Sequence, residues 1–283
     1  MTRTVYLNGN FCAAEQAKIS IFDRGFLFAD AVYEVIAVLD GKLVNFASHM
    51  KRLRRSLGEI NIPEPLSEAG YLSVMQQLVS RNELGEGLVY LEISRGVAER
   101  DFLYPDNLEP TVTMFTQVKT LVESANGRNG VKLRSAEDIR WARRDIKSTG
   151  MLAQVMAKQA ARLAGANEAI LVAGGYVTEG GSCNIYIVKN GVVITRQLGN
   201  EILAGITRAS LLSLAWDNRI KIDERPFTLD EAFAADEVFT SSASTFICPV
   251  VAIDERPVNS GTIGPVVRQL QQVYVAHARK TAV

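Results

Sequence analysis

The sequence predicts an α+β protein with mixed, largely antiparallel sheets flanked by helices. Three observations point there. β-type alternation comes in pairs about Asn-Gly or Asp-Gly turns, at Asp40-Gly41 and Asn190-Gly191, the pattern of hairpins. Between such pairs lie stretches whose apolar residues recur at helical spacing, as at Met50, Leu53, Leu57 and Ile60. Finally, 283 residues suit two domains or one large one.

In chain order, Val5 and Leu7 alternate before Asn8-Gly9, and Ile19 and Ile21 alternate before Asp23-Arg24-Gly25, so both read as strands. Val32 to Phe46 reads as two β-rich pieces about Asp40-Gly41. The helix that follows takes Ser48 as its N-cap, leaves Arg52 off its apolar stripe, and ends before Pro63 and Pro65. A second amphipathic helix runs from Ser67 to about Asn82, followed by strands at Leu88–Ser94 and Thr111–Gln117. The polar, glycine-bearing run ESANGRNG marks a boundary. The predicted layout is therefore a small α+β domain over 1–120, a linker over 121–130, and a larger domain over 131–283. Beyond the linker, Val131 and Leu133 begin a strand. A helix over 149–165 is expected to bury Leu152, Val155, Met156 and Leu163, and a short strand covers Ala169–Val172. A hairpin spans Ile185–Ile194. Helices start near Thr207 and Asp230, and the last runs from Gly264 to Arg279 with Val267, Leu270 and Tyr274 on one face.

Composition narrows the function. Thirty-one basic and 31 acidic residues cancel, giving no reason to expect nucleic acid or an anionic membrane as partner. No apolar run is long enough for a signal peptide or a membrane span, and three widely spaced cysteines read as reduced thiols, so a cytoplasmic protein is expected. No metal-ligand spacing appears.

Several stretches could carry chemistry. Lys147 ends the polar segment EDIRWARRDIKS, and a nucleophilic lysine needs its ammonium destabilised by burial or by nearby positive charge; Arg140, Arg143 and Arg144 have the right sign. Glu179 ends a strand and meets Gly180-Gly181, where it is either a fixed carboxylate beside a ligand or part of a surface turn. Gly205-Ile206-Thr207 opens a helix whose N–H groups suit a phosphate, or simply caps it. The hydroxyl-rich Ser241–Thr245 run could complete a phosphate cradle or satisfy a buried turn. The loop from Arg95-Gly96 to Arg100 could take a carboxylate in an arginine fork, or be solvated.

Taken together and in order, these segments resemble the class IV pyridoxal-phosphate aminotransferases, most closely the D-amino-acid transaminases. The resemblance runs essentially the whole length. It is carried by DRGFLFADAVYEV at 23–35, HMKRL at 49–53, ISRG at 93–96, EDIRW and DIKS around Lys147, VTEGGSCN at 177–184, GIT at 205–207 and FTSSAS at 239–244. It implies PLP fold-type IV, with pyridoxal 5'-phosphate held at the domain interface of a homodimer. By the same resemblance Lys147 forms the Schiff base with the cofactor and Glu179 sits beside the pyridine nitrogen. Arg52, the backbone of Ile206, Thr207, Ala243 and Ser244 hold the phosphate, and Leu203 stacks on the ring. Tyr33, Arg100 and Ser182 fall on the substrate side, with the carboxylate trap completed across the subunit interface. The reaction implied is ping-pong transfer of an amino group from a D-amino acid such as D-alanine to a 2-oxo acid such as 2-oxoglutarate.

One departure stands out. D-amino-acid transaminases commonly carry Arg-x-His in the loop that binds the substrate carboxylate, whereas this chain has Arg100-Asp101-Phe102, and a phenylalanine cannot donate to a carboxylate. The substrate range is therefore open. Branched-chain L-transaminases, aminodeoxychorismate lyases and R-selective amine transaminases share the resemblance at Lys147 and Glu179. A non-enzymatic protein that binds a phosphorylated ligand is the alternative from another class. His49 and His277 lie on predicted helices and read as structural.

Overall fold

A computed structural model of the protein describes residues 3–283. It comprises two compact units, the first formed by the chain up to Thr120 together with Ile146–Gly150 and Ala278–Val283. This unit contains β1 (Thr4–Leu7), β2 (Asn10–Ala13), α1 (Arg24–Phe28), β3 (Ala31–Leu39), β4 (Lys42–Leu43), α2 (Phe46–Glu59), α3 (Glu68–Arg81), β5 (Gly87–Ser94) and β6 (Thr111–Val118). Its strands form one antiparallel sheet in the order β2-β1-β6-β5-β3-β4. Alternation along β3 turns Val32, Ile36 and Val38 toward Met50, Leu53 and Leu57 of α2 and Tyr71, Met75 and Leu78 of α3. Each of these fully buried side chains contributes about 1.5–3 kcal/mol. The hairpin about Asp40-Gly41 is present, with both residues at positive φ. α3 lies where its sequence signals put it, N-capped by Ser67 and ended at Asn82.

Two local expectations fail here. The Ile19/Ile21 alternation makes no strand: both side chains are exposed and have no face to bury, and Asp23 instead N-caps α1 by accepting from Gly25 N at 2.8 Å. Ser48 does not cap α2. The helix begins at Phe46, and the left-handed residue before it is Asn45, which tolerates that conformation and whose carbonyl accepts from His49 N at 3.1 Å.

The second unit, Leu121–Asp145 with Met151–His277, holds a nine-stranded mixed sheet. Its elements are α4 (Ala125–Asn129), β7 (Val131–Glu137), α5 (Leu152–Leu163), β8 (Glu168–Ala173), β9 (Tyr176–Gly180), β10 (Asn184–Lys189), β11 (Val192–Thr195), α6 (Ile206–Asp217), β12 (Ile222–Glu224), α7 (Leu229–Phe233), β13 (Glu237–Ser242), β14 (Phe246–Ile253), β15 (Arg256–Pro257) and α8 (Pro265–Thr281), whose last turn enters the first unit. The order is β12-β11-β10-β13-β14-β7-β8-β9, with β15 on β14. β11 with β12, β14 with β7, and β7 with β8 run parallel, and the other pairs are antiparallel. The fold is thus α+β with mixed sheets, as the sequence predicts. No helix among the described residues is long and apolar enough to cross a membrane.

α5 reverses the expectation for its buried side. Leu152, Val155, Met156 and Leu163 are all exposed, and the helix instead buries Ala161, with Ala157 beside it, against Ala169 and Leu171 of β8. A face of small residues lets the helix axis approach the sheet, and the bulky stripe is left on the outside.

Candidate active site

In the first unit, Lys147 rides on the segment that the chain returns to this sheet. Ile146 is buried in the core of that unit, and the backbone beside it is laced to β3. Tyr33 N donates to Lys147 O at 3.0 Å, Thr149 N to Ala31 O at 3.1 Å, and Ser148 bridges Val32. Lys147 N donates to Ser56 Oγ of α2 at 3.3 Å. Thus held by its main chain, Lys147 places Nζ 4.0 Å from the centroid of the Tyr33 ring.

Arg52 projects from α2 into a buried cluster that sequence reading did not find. Glu34, fully buried on β3, accepts Arg52 Nε at 2.8 Å on one oxygen. Its other oxygen accepts Arg52 Nη2 at 2.7 Å and pairs with His49 Nδ1 at 2.7 Å. Burial pushes the Glu34 carboxyl up, but the Arg52 charge and the bonds to Arg52 and His49 override it and hold the group far below the usual carboxylate range. Burial lowers the His49 pKa, opposed by Glu34 and assisted by the charges of Arg52 and Lys147, so the ring is neutral at pH 7. The signal was available: Glu34 occupies a position in β3 whose alternation faces the core, where an acid requires a partner.

In the second unit, Glu179 stands near the end of β9 at the end of a polar chain. Arg140 Nη1 donates to Glu179 Oε1, and Asn184 Nδ2 donates to Oε2 at 3.1 Å. Leu203 N reaches both oxygens, at 3.3 and 3.2 Å. Behind Arg140, Asp138 accepts its Nε at 2.9 Å and Nη2 at 2.7 Å, and Thr178 Oγ1 donates to the same acid at 2.7 Å. Burial raises the Asp138 pKa, yet the bonds from Arg140 and Thr178 leave it lowered overall. Gly205 is required here: a Cβ on it would come within 2.0 Å of Asn184 Oδ1, and Asn184 also donates to Leu203 O at 3.0 Å.

The three arginines whose charge has the sign that Lys147 would need are each paired with an acid. Arg140 and Arg144 are engaged by Asp138, and Arg143 by Asp145 at 2.9 Å, all within the second unit.

Apart from Arg52, the phosphate-side expectations fall in the second unit. Gly205 occupies the N-cap position of α6 without a side-chain cap, leaving Ile206 and Thr207 as the first helical residues. Tyr274 Oη donates to Thr207 Oγ1 at 3.4 Å and its ring packs on Phe246, 5.2 Å between centroids. Phe246 closes the turn that carries Ala243 and Ser244, where Ser242 Oγ lies 3.2 Å from Ser244 Oγ and 2.8 Å from Thr245 Oγ1. Ser182 lies elsewhere in its contacts, accepting Lys158 Nζ at 2.8 Å and donating to Glu168 at 3.1 Å.

Arg100 is exposed, its guanidinium 5.6 Å from the Phe28 ring and 5.7 Å from the ring of Phe102, which is 78% exposed. Its loop is pinned from below. Arg24 donates to Asp101 O at 2.7 Å and to Asp30 at 2.9 Å. Arg95 also forks onto Asp30, at 2.7 and 3.0 Å, and lies 3.8 Å over the Tyr104 ring. The fork expected of Arg95 therefore exists, but it takes Asp30. Asp101 turns its carboxylate to Leu103 N at 3.1 Å.

The comparisons with known proteins agree on one family. The family model for amino-transferase class IV matches residues 31–253. D-alanine aminotransferase of Staphylococcus aureus is 41% identical over 271 residues, 95% of each chain, and that of Bacillus licheniformis is 40% identical over 267 residues, 94% of each. The crystal structure of the Escherichia coli branched-chain amino acid aminotransferase has the same fold, with a TM-score of 0.91 at 24% identity over 98% of this chain and 95% of that one. The chain belongs to the class IV aminotransferases.

Proposed function

We propose that the protein is a pyridoxal 5'-phosphate-dependent D-amino-acid transaminase, with D-alanine as amino donor and 2-oxoglutarate as acceptor. Identity of about 40% to D-alanine aminotransferases over nearly the whole chain is the observation that carries this reading. The residues present fit the cofactor. A buried acid fixed by three donors suits a ring nitrogen, an uncapped helix start beside a hydroxyl-rich turn suits a phosphate, and Lys147 is fixed through its own backbone. Lys147 would hold the cofactor covalently, Glu179 would keep its ring nitrogen protonated, and Leu203 would lie against its ring. Arg52, Ile206 N, Thr207, Ala243 and Ser244 receive the phosphate, and Tyr33, Arg100 and Ser182 face the substrate.

Bound there, the cofactor would supply an electron sink for the pair left on the substrate Cα. Once the substrate amine had displaced it, Lys147 Nζ would be free as the base that takes the Cα proton and holds it as an ammonium until it is given up again. Glu179 serves only while ionised, and its three donors favour that form.

Two exposed apolar groups support a homodimer. They are Phe26, Phe102 and Leu103 in the first unit, and Leu152, Val155, Met156 and Leu163 on α5 in the second. None of the three cysteines forms a disulfide, in keeping with a cytoplasmic protein.

The test is a visible spectrum of the purified protein with pyridoxal phosphate, before and after D-alanine and, separately, L-alanine. Bleaching by D-alanine alone is expected. Bleaching by L-amino acids alone moves the chain to the branched-chain reading, and a band that neither donor bleaches favours an amine or chorismate-type substrate. Lys147→Ala should abolish the visible band and lower turnover by roughly a thousand-fold or more.

A further inference from the structure

The outward face of the first sheet carries an aromatic row that begins beneath Lys147. The Tyr33 ring lies 5.6 Å from that of Tyr90, which in turn lies 4.7 Å from that of Phe115. Directly opposite Tyr33 in the pairing of β3 with β5 is Glu92, on the same face as Tyr90. Tyr90 Oη donates to Glu92 Oε2 at 2.6 Å. Among the described residues this is the one hydrogen bond to the Glu92 carboxylate, and no arginine, lysine or histidine pairs with it. Burial and the nearby charge of Asp23 raise the Glu92 pKa against the lowering effect of the Tyr90 bond. Asp23 is itself buried, with Oδ2 unpartnered among the described residues.

Unlike Asp23, two other acids in this unit have cationic partners. Glu34 has Arg52, and Asp30 has Arg24 and Arg95. Glu92 differs from them in having only a neutral phenol. A half-buried carboxylate beside a second acid favours a cation that arrives from outside the chain.

We infer that Glu92 is a specificity-determining residue that favours amino donors with a cationic side chain, an ammonium or a guanidinium. The inference rests on the reading that Lys147 and Tyr33 mark the substrate side. Tyr33 then separates the reacting lysine from Glu92 by one side chain, so the Cα and the far end of a donor fall on neighbouring positions of one sheet face.

D-Ornithine and D-norvaline differ by one terminal ammonium and supply the comparison. For the wild-type holoenzyme the kcat/KM ratio of D-ornithine to D-norvaline should be about ten or more, as expected for a charge-assisted hydrogen bond. In Glu92→Gln, whose amide oxygen can still accept from Tyr90, the ratio should fall to about one. An equilibrium measurement independent of turnover accompanies it: calorimetric binding of 5-guanidinopentanoate against pentanoate, with about a ten-fold preference in wild type that Glu92→Gln removes. No turnover of any D-amino acid would defeat the transaminase reading while the calorimetry still tested the site. Equal affinities for the two pentanoates, or a ratio unchanged by Glu92→Gln, would overturn the inference. So would an unchanged ratio accompanied by weakened self-association in sedimentation, because Glu92 would then face a second copy of the chain.

Discussion

Arg140 stands between two acids, and its guanidinium decides what each of them can do. Asp138 takes one edge of it, through Nε and Nη2, and Glu179 takes Nη1. Arg140→Met would leave Asp138 buried without that partner and would remove the guanidinium from Glu179. We expect pyridoxal-phosphate affinity and kcat/KM each to fall about 10- to 100-fold, as when the support of a binding group is removed. A cofactor titration checks this, and wild-type values would mean that Glu179 needs no such support. Glu34 poses the same question for stability. Glu34→Gln removes the buried carboxylate that holds Arg52 and should cost the cofactor-free protein about 3–5 kcal/mol in denaturant unfolding. A loss under about 1 kcal/mol would show that the cluster is more hydrated than its burial indicates.

At the scale of elements, α5 gives the sharpest contrast between pattern and packing. Ala161 is 1% exposed against β8 while Leu163 is 75% exposed, so the small residue is the one in the tight contact. Ala161→Leu should therefore destabilise by about 1–3 kcal/mol through overpacking, and Leu163→Ala should stay within about 0.5 kcal/mol in the dissociated subunit, acting on self-association rather than on packing within the chain. A large, concentration-dependent loss from Leu163→Ala would then reveal a covered stripe. Periodicity explains why this was not legible in the sequence. It locates an apolar stripe on a helix but not the side on which the sheet lies, and an alanine face reads as neutral. α3 was legible because its signals are local, with Ser67 and Asn82 bracketing one amphipathic run. The same division holds for the candidate site. Lys147, Glu179 and Arg52 sit in short recognisable segments. Their partners Glu34 and Arg140 lie in such segments too, but the pairings Glu34–Arg52 and Arg140–Glu179 span 18 and 39 positions, which no spacing rule encodes.

Across the whole molecule, each unit contains a buried carboxylate held on an arginine, and this sets the response to acid. Glu34 and Asp138 have lowered pKa values, from 4.5 and 3.8, so folding favours their ionised forms. Their stabilisation is complete above those values and fades as pH falls toward the depressed ones. His49 acts at higher pH. Its pKa is lowered from 6.5, so below that value the unfolded chain takes up a proton that the folded ring resists, and stability falls. The melting temperature should decline below about pH 6.5 and more steeply below about pH 4.5. His49→Gln, whose amide can still donate to Glu34, should remove the first decline and leave the second. A profile unchanged by His49→Gln would assign the early decline to other groups. The return of Ile146–Gly150 to the first unit also bears on synthesis. Residues 121–145 belong to the other unit, so a nascent chain has translated past them before Ile146 can reach its core position. A ribosome-bound chain arrested with Thr120 just outside the exit tunnel should thus be cut faster by protease than one with Gly150 outside. The residue proposed to carry the cofactor is itself part of the late-arriving segment, so the reactive amine and the fold that restrains it would mature in the same step.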